Sequence, residues 1–220
     1  MSRHPVYDRV KRLADFVTAL LLLVVLSPVL LMAALAVLAT MGPPVLFRQA
    51  RPGKDERVFT LYKFRTMRSA PETDDAIAAV RSDEDRLTAL GRFLRATSID
   101  ELPQIANVLR GEMSMIGPRP LLVEYLGHYT PEQAKRHLVK PGITGWAQVN
   151  GRNAASWDDR LSMDGWYAEN YSASLDARIA LMTVGAVFSR KGVSAEGQAT
   201  VEPFVSADRA DTGQEKSEDA

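Results

Sequence analysis

The sequence contains no cysteine, which excludes disulfides, thiolate metal sites and cysteine nucleophiles; nothing points to an oxidising compartment, and a reducing cytoplasm fits. Histidine is nearly as scarce, and His4, His128 and His137 lack the spacing of a metal site. There is no glycine-rich phosphate loop and no nucleophile elbow. Net charge is absent too: 27 Lys and Arg balance 27 Asp and Glu, which argues against a broad basic surface for nucleic acid. The charges are unevenly spread, however. Arg3–Arg12 and Arg48–Arg68 are basic, and the stretch after Glu202 is acidic.

What the sequence does have is one long apolar run. No residue from Phe16 to Met41 is charged, and at ~1.5 Å per residue this run reaches across a hydrocarbon core of roughly 30 Å. A cleavable signal peptide is the competing reading, because basic residues precede the run and Ala34-Leu35-Ala36 imitates a cleavage site. Such apolar regions are typically only ~7–15 residues long. Near the middle lies Ser27-Pro28, where proline removes a backbone donor and predicts a bend; a serine hydroxyl or water can satisfy the carbonyl so freed. Both flanks of the run are basic, and the positive-inside tendency places both ends on the cytoplasmic side. The expectation is a re-entrant helix-break-helix that dips into one leaflet, not a span.

Three units are expected: residues 1–44 as the basic N-terminus and membrane helix, 45–204 as a cytoplasmic catalytic domain, and 205–220 as a disordered acidic tail. Within the domain, Val58–Tyr62 alternates as a strand after a turn at Arg51-Pro52-Gly53. Leu87, Leu90, Phe93 and Leu94 follow helical spacing, as do Leu102, Ile105, Ala106 and Leu109 up to Gly111. Ile143–Val149 reads as a strand, and Trp157–Tyr171 and Leu175–Phe188 read as helices. Trp146, Trp157 and Trp166 read as core or interface anchors.

Between the first two domain helices lies Thr97-Ser98-Ile99-Asp100-Glu101-Leu102-Pro103-Gln104. Ser98 and Glu101 fit a capping box, with Asp100 as an alternative N-cap that leaves Pro103 in the tolerated first turn. A capped helix start also suits a phosphate, so a structural and a catalytic use of the pair are compatible. Neighbouring helical side chains diverge by about 100°, so the two carboxylates are expected to differ in role, one attacking phosphorus and the other holding a magnesium ion. Cations recur nearby in sequence: Lys63 and Arg65 in Lys63-Phe64-Arg65-Thr66-Met67, then Arg95, then Arg119 between Pro118 and Pro120. The flanking prolines fix the backbone around Arg119 and lower the entropy lost when its planar fork meets a phosphate.

These segments, with the Ser27-Pro28 apolar hairpin, Gly117–Pro120 and Pro141-Gly142-Ile143-Thr144-Gly145-Trp146-Ala147-Gln148-Val149-Asn150-Gly151-Arg152, resemble the bacterial sugar transferase family of small monotopic phosphoglycosyl transferases. The resemblance implies an α+β, predominantly helical fold: a re-entrant membrane helix, a compact domain with a small β-hairpin at the cytoplasmic face of the bacterial inner membrane, and interfacial amphipathic helices. It further implies that a UDP-sugar donates a sugar 1-phosphate to undecaprenyl (polyprenyl) phosphate with release of UMP. Asp100 would carry the phosphosugar, Glu101 would help bind Mg²⁺, and Arg119, Lys63, Arg95 and, more loosely, Arg65 would bind phosphates. The partners implied are donor, acceptor and membrane lipid, with a second copy or glycosyltransferases as further candidates. The resemblance leans to an N-acetylated hexose, with glucose or galactose open. Measured against larger members of the family, the chain is expected to be close to the minimal catalytic unit, and Gly165 stands where a bulkier residue is expected. A catalytically silent membrane scaffold and a phosphohydrolase are the alternatives.

Overall fold

A computed structural model describes residues 5–68, 86–150 and 156–189. The expected acidic tail, His4 and the Gly151-Arg152 end of the Pro141 motif lie outside the described residues.

The apolar run forms α1, Pro5–Met41, a single helix of 37 residues that is long and apolar enough to cross a membrane. The expected break at Ser27-Pro28 is absent from its hydrogen-bonded course, because the helix continues through Pro28. Proline leaves the carbonyl of Val24, four residues earlier, without its N–H. The Ser27 hydroxyl donates to that oxygen at 2.8 Å and replaces the missing bond.

One side of α1 packs on the rest of the molecule. Asp15, Ala19, Leu22, Leu26, Leu30, Ala33, Val37 and Met41 recur every three or four residues and are buried or packed against the cores, as one face of a 3.6-residue repeat must be. Ala19 sits among Leu61, Ile105, Val108 and Met113, and Val37 among Phe64 and Leu94. Small side chains at 19 and 33 bring the helix close. Leu13, Leu21, Val24, Val25 and Met32 lie on the other side and are exposed. At the start of the helix, Tyr7 and Lys11 reach Asp176 at 2.7 and 2.6 Å, and Arg12 donates to the carbonyls of Val108 and Leu109.

The domain begins with the antiparallel hairpin of β1, Leu46–Pro52, and β2, Val58–Phe64, with Leu46 opposite Phe64 and Pro52 opposite Val58. Arg51 and Pro52 belong to β1, so the turn falls later than expected, over a 3-10 turn at Lys54–Glu56. Proline is tolerated there because it ends the strand of a two-stranded sheet. Then come α2, Ala89–Ala96, a 3-10 segment at Ile99–Gln104, and α3, Ile105–Arg110, which ends on Gly111 in the left-handed region. Leu87 precedes α2 and bridges to Met67 instead of joining the helix.

β3, Ser114–Ile116, and β4, Gly142–Thr144, pair in parallel. Between them lie 3-10 segments at Val123–His128 and Lys135–Leu138, separated by α4, Pro131–Ala134. The expected strand over Ile143–Val149 stops at Thr144. Trp146–Asn150 forms α5 instead, with the Val149 N–H on the Gly145 carbonyl and the Gln148 amide on the Ile143 carbonyl, local bonds that a strand would forgo. α6, Trp157–Asn170, starts on a capping box of Ser156 and Asp159, and α7 runs Ala173–Ser189. Val149, Tyr167, Tyr171 and Ile179 make a third core with α5, α6 and α7. The architecture is the expected mostly helical one with a small hairpin.

Candidate functional site

The acidic pair is held by unusual backbone, not by a cap. Ser98 is left-handed, with φ 56° and ψ 16°, and its side chain makes no capping bond. Asp100 lies inside the 3-10 segment and is not its N-cap. The capping box expected from Ser98 to Glu101 is therefore not formed; the Glu101 N–H bonds the Ser98 carbonyl at 3.2 Å. The reason lies in the Glu101 carboxylate, which has charged partners, and charge-assisted bonds are roughly twice as strong as neutral ones. A left-handed non-glycine residue costs on the order of 1–3 kcal/mol and persists where surrounding contacts over-determine it.

Three other segments bring cations to this turn. Lys63, on β2, places Nζ 2.7 Å from Glu101 Oε1. Asn107, fully buried in α3, fixes that strand: its amide donates to the Thr60 carbonyl and the Glu112 carboxylate, both at 2.7 Å, and its oxygen accepts from the Tyr62 N–H. Arg95 comes from α2 and donates through Nε to Thr66 Oγ1 at 3.1 Å. α2 can approach so closely only because residue 91 is glycine: a Cβ there would lie 2.0 Å from the Thr66 carbonyl oxygen.

Arg119 completes the group, with Nη2 2.6 Å from Glu101 Oε1 and Nη1 3.3 Å from Oε2. Its loop is clamped onto the start of the Pro141 motif. Gly117 N–H bonds the Thr144 carbonyl and Gly142 N–H bonds the Pro118 carbonyl, both at 2.9 Å. A Cβ on Gly117, Gly142 or Gly145 would lie 2.1–2.3 Å from backbone atoms of the facing segment. Gly117-Pro118-Arg119-Pro120 and Pro141–Gly145, far apart in sequence, are thus the two sides of one backbone contact.

The two carboxylates differ in environment. Asp100 is 8 % exposed, and among the described residues its carboxylate accepts no hydrogen bond. Burial, and next the neighbouring Glu101, push it up to about 6 against the pull of Lys63, Arg95 and Arg119. Burial acts on Glu101 in the same sense, but Arg119 and Lys63 outweigh it and hold its carboxyl below the usual range. Burial lowers the Lys63 ammonium, with Arg119 adding to the effect and Glu101 opposing it, while Glu101 raises Arg119. At neutral pH Asp100 is mostly ionised yet more basic than an ordinary aspartate, a combination that suits a nucleophile.

Of the residues expected at the site, the structure thus brings together Asp100, Glu101, Lys63, Arg95 and Arg119. Arg65 is placed elsewhere: its guanidinium donates to the carbonyls of Met41, Gly42 and Pro43 at the end of α1. In a strand residues 63 and 65 share a face, but here the fork is taken up by the last carbonyl of α1 and the two that follow it. His137 is buried, with Nδ1 3.2 Å from the Gly53 carbonyl. Trp146 and Trp166 pack ring to ring at 5.4 Å. The sequence reading missed Asn107, whose only signal is a polar residue on an apolar helix face, and the buried pair of Arg136 and Asp164, whose Nη2 to Oδ2 distance is 2.8 Å. Gly165, next to that pair, has a reason to be small, since a Cβ would lie 3.0 Å from the Glu132 carbonyl oxygen.

Among the described residues no group of three or more His, Cys, Asp or Glu side chains is placed to hold a metal ion. A magnesium ion fits one or two carboxylates completed by waters and substrate phosphates. Of the two carboxylates, Glu101 is the expected ligand, and its Oε2 atom accepts only the longer Arg119 contact.

The family model for bacterial sugar transferase matches residues 6–190. The uncharacterized sugar transferase EpsL of Bacillus subtilis (strain 168) is 48 % identical over 194 residues, covering 88 % of this chain and 95 % of that protein. The UDP-glucose:undecaprenyl-phosphate glucose-1-phosphate transferase of Caulobacter vibrioides is 43 % identical over 185 residues, 80 % of this chain and 69 % of the relative. The protein of the same name in Klebsiella pneumoniae is 41 % identical over 189 residues, 82 % of this chain but only 40 % of the relative's length.

Proposed function

The chain belongs to the bacterial sugar transferase family, and from that premise we propose that it transfers a sugar 1-phosphate from a UDP-sugar to undecaprenyl phosphate. One observation carries the reading: a buried carboxylate without a hydrogen-bond partner among the described residues, Asp100, stands beside a second, Glu101, that gathers two cations. In the first step an Asp100 oxygen bonds to the β-phosphorus of the donor. The bond from that phosphorus to the bridging oxygen breaks, and UMP leaves with the electron pair on that oxygen. The resulting acyl phosphate is a mixed anhydride and retains the capacity to transfer. In the second step a phosphate oxygen of the lipid carrier bonds to the same phosphorus, and Asp100 leaves as a carboxylate.

Lys63, Arg95 and Arg119 supply the fixed positive charge that phosphoryl transfer requires. A magnesium ion held by Glu101 would neutralise further phosphate charge. The named relatives favour a plain UDP-hexose, glucose first, over the N-acetylated hexose of the sequence expectation.

The acceptor is a lipid, and α1 offers the contact with it. α1 stays packed on the domain as far as Met41 while its other side is apolar and exposed. A helix crossing the bilayer would draw its packed partners Leu61, Ile105 and Phe64 in with it. This supports a monotopic arrangement with α1 lying along the interface; the basic flanks of the run favour the cytoplasmic side of the inner membrane for the site.

The test is UMP release by detergent-solubilised protein with Mg²⁺, undecaprenyl phosphate and a panel of UDP-sugars, beside Asp100→Asn. Acceptor-dependent release from one UDP-hexose is expected, reduced at least about 10³-fold in the variant. Free sugar phosphate in place of a lipid-linked product would convert the reading to a phosphohydrolase, and no release from any donor would leave the silent scaffold.

A further inference from the structure

Arg136 and Asp164 form an ion pair behind the site. Arg136 is 3 % exposed and Asp164 4 %. Arg136 Nη2 donates both to Asp164 Oδ2 at 2.8 Å and to the main-chain carbonyl of Arg119 at 2.5 Å, and Nη1 donates to the Tyr129 hydroxyl at 3.1 Å. The guanidinium also lies 5.6 Å from the centre of the Tyr129 ring. Burying such a pair is a poor route to stability, since the desolvation of two charges offsets most of their attraction.

Its location suggests a different use. Arg119 stands between two prolines in the sequence, and the following residue, Pro120, has no N–H with which to continue a regular pattern. On the N-terminal side the loop is anchored by Gly117 and Pro118 to β4. On the C-terminal side the anchor for residue 119 is Arg136. The chain of contacts therefore runs from Asp164 on α6, through Arg136, to the Arg119 backbone, and through the Arg119 side chain to Glu101.

We propose that Arg136, oriented by Asp164, is a positioning residue: by holding the Arg119 carbonyl it fixes where the Arg119 guanidinium meets Glu101 and the donor phosphates. The inference rests on the transferase reading above and names a determinant of that same site. Residues that act only through one another do not add, whereas independent ones do. A misplacement of about 1 Å at a catalytic group can cost about 10²-fold.

The experiment is a double-mutant cycle on kcat and KM for the UDP-sugar. Its variants are Arg119→Ala, Arg136→Met/Asp164→Leu, which replaces the ion pair with apolar side chains of similar size, and the combination. Arg136→Met/Asp164→Leu is expected to lower kcat/KM by about 10–10²-fold and to add nothing further when Arg119 is already alanine. Leu161→Ala, a core truncation three residues from Asp164 in α6, serves as the comparison, and its effect should multiply with that of Arg119→Ala. Multiplication by the Arg136 variant as well would overturn the proposal. If Arg136→Met/Asp164→Leu does not fold, Arg136→Lys replaces it, because lysine keeps the charge but not the two-pronged fork, and the same non-additivity is required. If the wild type releases no UMP from any donor, the transferase reading fails by itself. The positioning inference is then decided by a structure of the Arg136 variant: Arg119 displaced from Glu101 supports it, and Arg119 paired with Glu101 as before overturns it.

Discussion

α1 and the turn at Thr97–Gln104 are held in opposite ways. α1 is regular for 37 residues, and its position follows from one repeated stripe of small and apolar side chains. The turn is irregular at nearly every residue: Ser98 is left-handed, the following six residues are 3-10, and Pro103 lies inside that segment. Its conformation comes from contacts with β2, α2 and the Arg119 loop, not from its own preferences. Regular elements can be specified by local pattern, whereas a site that must join charges from four segments gives up local preference for tertiary contact.

The sharpest way to break this contrast is to remove the contact that organises the turn. Glu101→Gln discards the charge that Lys63 and Arg119 share and is expected to lower kcat about 10²–10³-fold, measured as acceptor-dependent UMP release. A smaller loss would mean that the cations are positioned without Glu101. The next effect tests the burial of Asp100. Its folded pKa of about 6 lies above the unfolded 3.8, so its ionisation disfavours the folded state. The stability it permits is fully present below pH 3.8 and lost as pH rises through about 6. Asp100→Asn does not ionise and should therefore be more stable than the wild type at pH 7.5, by up to about 3 kcal/mol at 1.36 kcal/mol per unit. That advantage should vanish near pH 4, as read from thermal unfolding in detergent. An advantage that is flat with pH would show that burial does not set the Asp100 environment. Over the same range, turnover of the wild type should fall as pH drops below about 6.

The packed stripe of α1 can be tested against its exposed side. Ala19 is fully buried among Leu61, Ile105 and Val108, so Ala19→Leu is expected to destabilise by about 1–3 kcal/mol through overpacking. Leu21, 61 % exposed, should tolerate alanine in detergent and show its effect only in membrane recovery. Equal destabilisation by the two changes would mean that the stripe does not hold the helix.

The same contrast decides what could be read in advance. The end of α1 at Met41, the helices after Leu87 and Leu102, and the strand at Val58 are legible in the sequence within a few residues, whereas α1 starts at Pro5, well before the uncharged run, and continues through the expected break. The local preferences of Ser98 and Glu101 pointed to a capping box, which three-dimensional charge pairing overrode. Asp100, Glu101, Lys63, Arg95 and Arg119 were named because carboxylates and cations are what phosphoryl chemistry uses, and they do converge. Arg65 was named on the same ground, but the carbonyls at the end of α1 claim it. Arg136 and Asp164 left no mark, because an ion pair between residues 28 apart has no sequence spacing that announces it.

The smallest expected effect lies at the proline inside α1, where a side chain replaces a backbone hydrogen bond. Pro28 cannot supply the N–H that the Val24 carbonyl needs, and the Ser27 hydroxyl supplies a donor instead. Removing it by Ser27→Ala leaves that carbonyl unpaired and should destabilise by about 1 kcal/mol in detergent, the usual net value of one hydrogen bond, with more lost in a bilayer, where no water replaces the donor. If substitution is what the hydroxyl does, its value depends on the proline. Pro28→Ala restores the backbone donor, so Ser27→Ala made on that background should be silent. The same loss with and without Pro28 would mean that the serine serves the helix in some other way, and the continuity of α1 through Pro28 would then need a cause in the packing of Leu26 and Leu30 on either side of it.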